Sequence, residues 1–306
     1  MGWWRLPLGL SISPEAIHAV RIVRRGGRLR VAARRTVPLP GGALAPAPQG
    51  LAITDEGAIL DAFKEALGLG GRRPEVALAL PDSSCVAQVL RFPELQAHGE
   101  ELRELLLWQA ADLLPFPAKE ARLACHVLRR EGAAGQVALL LAHEVFISQI
   151  ETLLTRAGAT LLHAASALCC LHTAWNRATE GRGSEGLLHL GGGALGFLLR
   201  QDGIPAYARS VPLVGGNGQA AAILQEVEAS LDFATGREGV APPPDLILAG
   251  EGDLGPIAAA LERALRIPAE VLGNGVQAWS AFWDGPPPTA TETASAGAAL
   301  SPGKSI

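Results

Sequence analysis

Apolar and polar positions in the first half of the chain follow two different periods. Short apolar runs bounded by turn residues predict strands at residues 8–12, 16–23, 29–37, 75–80, 85–92, 122–129 and 137–142. Apolar residues spaced three and four apart predict helices at residues 55–67, 99–114, 144–157 and 161–176. Residues 38–50, rich in Pro, Gly and Ala, are predicted to form a loop. The mixture of strands and helices predicts an α/β fold.

The second half of the chain begins in the same way as the first, with a strand and a hairpin. Asp202-Gly203 is the predicted hairpin turn here, as Arg25-Gly26-Gly27 is in the first half. Further patterns predict strands at 187–190, 197–200, 204–209, 245–249 and 270–272, and helices at 220–235 and 256–265. Residues 284–296, rich in Pro and Thr, are predicted to be a surface loop.

Composition limits the classes of protein to which the chain can belong. Of 306 residues, 48% are hydrophobic and 18% charged, which predicts a large folded core. The net charge of −4 argues against a protein that coats nucleic acid. No apolar run could span a membrane, and the first residues do not resemble a signal peptide, so a cytoplasmic location is expected. The four cysteines form no C-x-x-C pair and are expected to be buried free thiols, and no metal site is predicted.

The positive charge is concentrated near the start of the chain. Residues 1–40 contain eight Arg and one Glu, a charge of +7, so the remaining residues carry −11. Seven of these arginines lie within residues 21–35. One interpretation is a solvated hairpin whose charges protect an edge strand. The other is attraction to an anionic membrane surface.

Two glycine patterns match the dinucleotide-binding fingerprint G-x-G-x-x-G. The first begins at Gly191 and runs into a predicted hairpin, which cannot supply the helix N-terminus that a pyrophosphate needs. The second begins at Gly250 and lies between a strand and a helix, but too little chain follows it to complete a dinucleotide-binding unit. A tight turn that packs a helix onto a sheet edge remains one interpretation of the second pattern.

Three segments in order resemble the actin-like ATPase superfamily, and most closely the PilM family of type IV pilus assembly proteins. Residues 9–20 align without gaps to that family's first phosphate loop. Residues 187–216 resemble its second phosphate loop, and residues 246–256 resemble its adenosine loop. Leu-Pro-Phe-Pro at residues 114–117 resembles a stretch specific to the pilus proteins. The resemblance covers about residues 8–300.

The resemblance implies an actin-like ATPase fold with two related subdomain cores. It also implies an inserted pilus-type (SHS2-like) subdomain and a reduced subdomain over the nucleotide, because the chain is short after residue 216. The expected division is 1–82 for the first subdomain, 83–158 for the insertion, 159–186 for the return to the first subdomain and 187–306 for the second.

The sequence departs from the family at the positions that would hold magnesium and phosphate. Ser11 and His189 replace acidic residues, Ser13 replaces a glycine, and His18 replaces a lysine, while Gly191, Gly250 and Gly252 are kept. Losing both acids removes the charge compensation that a metal and a triphosphate need. We therefore expect a pseudo-ATPase without a cofactor. The alternative is an ATPase that still binds ATP with magnesium. A sugar- or acetate-kinase activity is disfavoured, since such enzymes also need the acids.

The resemblance also implies a partner. Proteins of this family bind the cytoplasmic N-terminal tail of a PilN-like inner-membrane protein in a groove between the first subdomain and the insertion. The residues expected to line that groove here are Leu113, Leu114, Phe116 and Pro117, although all four could instead be core. The chain is then expected to lie at the cytoplasmic face of the inner membrane through this partner, and no nucleic-acid partner is expected.

Overall fold

The computed structural model describes residues 6–213, 220–272, 288–289 and 292–300. The first half contains β1 (Leu8–Ile12), β2 (Ala16–Arg25), β3 (Arg28–Pro38), β4 (Leu44–Ala47), β5 (Gly50–Ile53), α1 (Glu56–Leu67), β6 (Glu75–Leu80), β7 (Cys85–Phe92), α2 (Gly99–Ala110), β8 (Ala121–Glu131), β9 (Ala134–His143), α3 (Glu144–Arg156), β10 (Thr160–Ser166) and α4 (Ala167–Ala178). The second half contains β11 (Gly186–Gly191), β12 (Ala194–Gln201), β13 (Ile204–Pro212), α5 (Ala220–Gly236), β14 (Leu246–Gly250), α6 (Gly255–Leu265), β15 (Ala269–Val271) and α7 (Thr293–Leu300).

Two five-stranded sheets of the same topology form the centre of the molecule. Their strand orders are β10-β6-β1-β2-β3 and β13-β12-β11-β14-β15. In each sheet the central strand is the first of three consecutive strands that pair antiparallel with one another, namely β1-β2-β3 and β11-β12-β13. On its other side the central strand pairs in parallel with a strand that has a further parallel neighbour. This duplication confirms the expectation of two related cores.

A third sheet, of three strands, lies between β6 and β10 in the sequence. Its order is β7-β9-β8, and all its pairs are antiparallel. Helix α2 buries Leu102, Leu106 and Ala110 against this sheet. Helix α3 instead buries Phe146 and Ile150 in the core of the first five-stranded sheet. The subdomain boundaries expected from the sequence remain predictions.

One predicted helix is wrong. Residues 161–176 do not form a single helix, because Thr160–Ser166 is strand β10, which pairs in parallel with β6. Helix α4 begins only after Ser166, whose hydroxyl accepts a hydrogen bond from the N–H of Cys169. The run Leu-Leu-His-Ala-Ala is apolar except for His163, and a short run of this kind cannot be assigned to a strand or a helix by periodicity.

Both predicted loops also contain regular structure. Within residues 38–50 the chain enters the β4–β5 hairpin, whose strands pair from Leu44↔Ile53 to Ala47↔Gly50. Within residues 284–296, residues 284–287, 290 and 291 lie outside the described residues, but helix α7 begins at Thr293. Every residue of α7 is buried, so it lacks the polar face by which a surface helix is recognised. The helix predicted at 99–114 ends at Ala110 and continues as a single 3₁₀ turn.

The cysteines differ from expectation at two positions, since Cys169 is only half-buried and Cys125 is exposed. Cys85 and Cys170 are buried free thiols, as expected, and burial raises the pKa of both groups. Cys125 is exposed on β8, an edge strand of the three-stranded sheet, so the expectation of four buried thiols is wrong.

Candidate functional site

The two serine- and glycine-rich loops meet at one small cavity between the five-stranded sheets. Six of the seven positions predicted from the nucleotide motifs line it, namely Ser11, Ser13, His18, His189, Gly191 and Gly250. Gly252 does not line it. The cavity measures about 20 Å³, which is room for about one water molecule.

Both serines of the first loop use their hydroxyl groups within the protein. The Ser11 Oγ atom lies 2.9 Å from Ser295 Oγ on helix α7. The Ser13 Oγ atom accepts a hydrogen bond from the N–H of Ala16 at 3.3 Å and lies at the same distance from the Ala16 carbonyl oxygen, to which it can donate. These contacts shape the turn between β1 and β2 and leave no carboxylate at the place where the family has its acid.

His189 bonds to an acid that comes from another part of the chain. Its Nδ1 atom lies 2.7 Å from Asp82 Oδ2, and Asp82 is only 1% exposed. The other carboxylate oxygen, Oδ1, accepts a hydrogen bond from the N–H of Leu168 at 3.0 Å. The second loop therefore has no acid at position 189. The acid beside His189 is Asp82, from the segment after β6, and both of its carboxylate oxygens already have hydrogen-bond partners.

His18 does not supply the positive charge that a lysine would. Its Nδ1 atom lies 3.0 Å from Thr36 Oγ1. Burial lowers the pKa of His18, and the negative charges of Glu251 and Glu292 offset this effect only in part. The imidazole is therefore mainly neutral at pH 7 and adds little attraction for a phosphate group.

The glycines of the loops are required by backbone shape. Gly250 has a φ of +143°, and a Cβ atom there would lie 1.9 Å from the carbonyl oxygen of Leu190 on the neighbouring strand. The turn between β11 and β12 uses Gly192 and Gly193, both with positive φ. The N–H of Gly192 points to Glu251 Oε2 at 3.4 Å, so a carboxylate occupies the neighbourhood of that donor.

The described residues of this cavity do not fit magnesium-ATP. No group of three or more potential metal ligands occurs anywhere in the part of the chain that the structure describes. The two carboxylates nearest the glycine turn, Asp82 and Glu251, each have a protein partner. A triphosphate is also far larger than the remaining space.

The four predicted groove residues lie together between α2 and β8. Leu113 is 45% exposed, Pro117 is exposed, and Leu114 and Phe116 are half-buried against the core of the three-stranded sheet. The Phe116 ring packs edge-on against His143, with centroids 4.9 Å apart. Because His143 directly precedes α3, this contact places the segment beside the junction with the first core.

Sequence reasoning missed Trp108, which is 76% exposed on the last turn of α2. The signal was present, because Trp108 follows the buried Leu106 by two positions and so points away from the sheet. An exposed Trp close in sequence to Leu113 enlarges the apolar surface on this end of the three-stranded sheet.

A larger cavity, of about 510 Å³, lies between the three-stranded sheet and the β12–β13 hairpin. Arg91 reaches across it and donates to the carbonyl oxygen of Ala206 at 3.3 Å and to that of Glu238. The Gln136 side chain donates to the carbonyl oxygen of Pro205 at 3.0 Å. No sequence motif marks this cavity, because its walls come from strands far apart in the chain.

The arginine-rich hairpin, residues 21–35, is formed by β2 and β3, at the edge of the first sheet. Arg21 donates to the Leu69 carbonyl oxygen at 2.8 Å, Arg34 pairs with Glu292 at 3.0 Å, and Arg35 donates to the Glu65 carbonyl oxygen at 2.5 Å. Towards the tip, Arg25 lies directly opposite Arg28. Like charges placed opposite each other destabilise a strand pair, so this hairpin is less stable than it could be.

Within the described residues, no helix is long and apolar enough to cross a membrane.

The duplicated sheet topology, with paired loops meeting between the sheets, defines the actin-like ATPase fold. One chain of the PilM–PilN type IV pilus biogenesis complex has this arrangement, with a TM-score of 0.76 and 21% identity over 96% of this chain and 98% of that chain. The cytoplasmic domain of EpsL, an inner-membrane component of the type II secretion system of Vibrio cholerae, has a TM-score of 0.53 and 12% identity, covering 96% and 95% of the two chains.

A third similar structure is a protein of unknown function with an actin-like ATPase fold from Bacteroides thetaiotaomicron. Its TM-score is 0.51 and its identity 9%, over 92% of this chain and 93% of that chain. No protein-family model and no curated protein matches the sequence. The fold is therefore the actin-like ATPase fold.

Proposed function

We propose that the chain is a scaffold of a type IV pilus or type II secretion-like machine, and that it binds the cytoplasmic N-terminal tail of a PilN-like inner-membrane protein. The observation that carries this proposal is the similarity to a chain of the PilM–PilN complex over almost its whole length. The similarity to the EpsL cytoplasmic domain supports the same class of machine.

The tail is proposed to bind along residues 113–117. The backbone is extended at Leu114 and at Pro117, so this segment can lie beside another extended chain. Leu113 offers exposed apolar surface, and Phe116 is held in place by His143 while part of its ring remains reachable. Partly exposed aromatic and aliphatic anchors are where peptide interfaces concentrate their energy.

Replacing Phe116 by alanine is expected to weaken tail binding by about 1–3 kcal/mol, with little loss of melting temperature. The matched control is Leu106→Ala, since Leu106 is fully buried in the same cluster and its loss should cost about 2–5 kcal/mol of folding stability. Pull-down of the tail and thermal unfolding are measured on both variants.

A steep loss of stability in Phe116→Ala with unchanged tail binding would remove the groove from this segment. The cavity beside Arg91 is then the next place to test, since it also separates the three-stranded sheet from its neighbour. Such a result would leave the scaffold proposal standing and would contradict only its site.

We further propose that the chain is a pseudo-ATPase. The supporting geometry is the cavity of about 20 Å³ and the protein partners of Asp82 and Glu251. The alternative, a chain that still binds ATP with magnesium, would have to open this cavity and break the bond between Asp82 and His189.

A second contact with the membrane is proposed for the arginine-rich hairpin, which would hold the scaffold at the cytoplasmic face. Arg24, Arg25 and Arg30 are exposed near the tip, and no ion pair among the described residues includes them. A basic residue near an anionic surface contributes about 1 kcal/mol.

Replacing Arg24, Arg25 and Arg30 together by glutamine is expected to weaken binding to phosphatidylglycerol-containing vesicles by roughly 10- to 100-fold in co-sedimentation at low salt. The matched control replaces three arginines exposed elsewhere, at positions 156, 182 and 237. Equal losses in both triple variants would contradict a specific role for the hairpin.

A further inference from the structure

Asp82 lies where the two halves of the chain meet. It follows β6 of the first sheet and opens a single 3₁₀ turn, and its carboxylate is fully enclosed. One oxygen accepts the N–H of Leu168 at 3.0 Å, in the first turn of α4. The other oxygen lies 2.7 Å from Nδ1 of His189, on the central strand of the second sheet.

The surroundings of this carboxylate have the chemistry of an oxyanion site. The N-terminus of a helix offers unsatisfied N–H groups and a favourable dipole to negative charge. The imidazole of His189 adds a side-chain donor from a second element. Gly196 leaves room for the Asp82 carboxylate, because a Cβ atom at position 196 would lie 2.7 Å from Asp82 Oδ2.

We propose that Asp82 is a built-in anion, which fills with its own carboxylate an oxyanion site between the two halves and so holds them together without a ligand. The class of ligand that this site would otherwise take is a small oxyanion such as a carboxylate. This proposal does not depend on the tail-binding function.

A neighbouring bond supports the same view of this turn. The hydroxyl of Ser83 donates to the carbonyl oxygen of Gly192, at 2.9 Å, in the turn between β11 and β12. Two successive residues of the first half thus bond to the second half. Of these two residues Asp82 is the charged one, and its carboxylate is the group that faces the N–H of Leu168 and the imidazole of His189.

The experiment removes the built-in anion and supplies a separate one. In Asp82→Ala the N–H of Leu168 and the imidazole of His189 lose their acceptor, so the melting temperature is expected to fall by several degrees. Sodium formate, whose carboxylate fits the vacated space, is then expected to raise the melting temperature of this variant in a saturable way. Sodium chloride at equal ionic strength should not.

Two further variants complete the test. Asp82→Asn keeps the site filled, so it is expected to lose stability relative to the wild type and to show no specific response to formate. Asp112→Ala, at an exposed acid in the 3₁₀ turn after α2, should behave as the wild type in both salts. If Asp82→Ala does not fold, the same titration is made on Asp82→Ser, which faces the same two donors.

A direct readout is the imidazole NMR signal of His189, which should shift on addition of formate to Asp82→Ala and remain unchanged in the wild type. Equal stabilisation of Asp82→Ala by formate and chloride would overturn the proposal. So would an Asp82→Asn variant as stable as the wild type, because the charge would then have no role.

Discussion

Replacing Arg200 by methionine is expected to lower the free energy of unfolding by about 3–5 kcal/mol, because it leaves the carboxylate of Glu185, whose side chain is 13% exposed, without its partner. Arg200 is 1% exposed and is bonded to Glu185. The same guanidinium donates to Asn176 Oδ1 at 3.1 Å, to Thr179 Oγ1 at 2.9 Å and to the carbonyl oxygen of Arg182 at 2.6 Å. It therefore ties the end of α4 to the second sheet.

Urea unfolding measures this effect, with Arg182→Met as the control. The side chain of Arg182 is 81% exposed and, among the described residues, pairs with the exposed Glu180 alone, so its loss should change stability by less than about 0.5 kcal/mol. A double variant, Arg200→Met with Glu185→Gln, should recover part of the loss. If Arg200→Met cost no more than the control, the network would not be a determinant of stability.

Replacing Gly9 by alanine is expected to cost about 3 kcal/mol, at the upper end of the usual effect of overpacking. A Cβ atom at this position would lie 1.9 Å from the carbonyl oxygen of Ser295 and 3.0 Å from the Cβ of Ala299, both on helix α7. The obstacle is mainly backbone, so it cannot move aside as a flexible side chain would. Strand β1 or helix α7 must therefore shift.

The control for this variant is Gly41→Ala, since a Cβ atom at Gly41 would meet no atom within 4 Å. Denaturant unfolding of both variants separates the effect of the contact from that of losing a glycine in the unfolded chain. If the two variants were equally stable, helix α7 would not pack against β1 as described.

The sequence was sufficient to predict elements whose signals are local. The hairpin turns at Gly26 and Gly203 contain glycines with positive φ, as their sequences suggest. Helix α1 begins after Asp55, a residue type typical of helix N-termini, whose side chain accepts the N–H of Ala58. These elements could be predicted because neighbouring residues determine them.

The elements predicted wrongly were those whose sequences lack a periodic pattern of apolar and polar residues. Strand β10 and helix α7 are recognisable only from what packs around them, namely β6 for the former and Gly9 with Ser11 for the latter. Small apolar residues such as those of α7 give no periodic pattern, since every face of the helix is buried.

The candidate site was predicted in outline, and its chemistry was not. Ser11, His189 and Gly250, which the resemblance singled out, line one cavity, and their role there stays a prediction. Nothing near His189 in the sequence pointed to Asp82, which is 107 residues away. The large cavity beside Arg91 likewise depends on contacts between distant strands.

Calorimetric titration of the wild-type chain with magnesium-ATP, followed by titration with the synthetic N-terminal tail of the PilN-like protein of the same organism, tests the central claim most directly. The scaffold account predicts no measurable binding of magnesium-ATP and an affinity for the tail that is the same with and without the nucleotide. A micromolar dissociation constant for magnesium-ATP, or a tail affinity that changes when it is present, would mean that the two sites are coupled and would contradict the account.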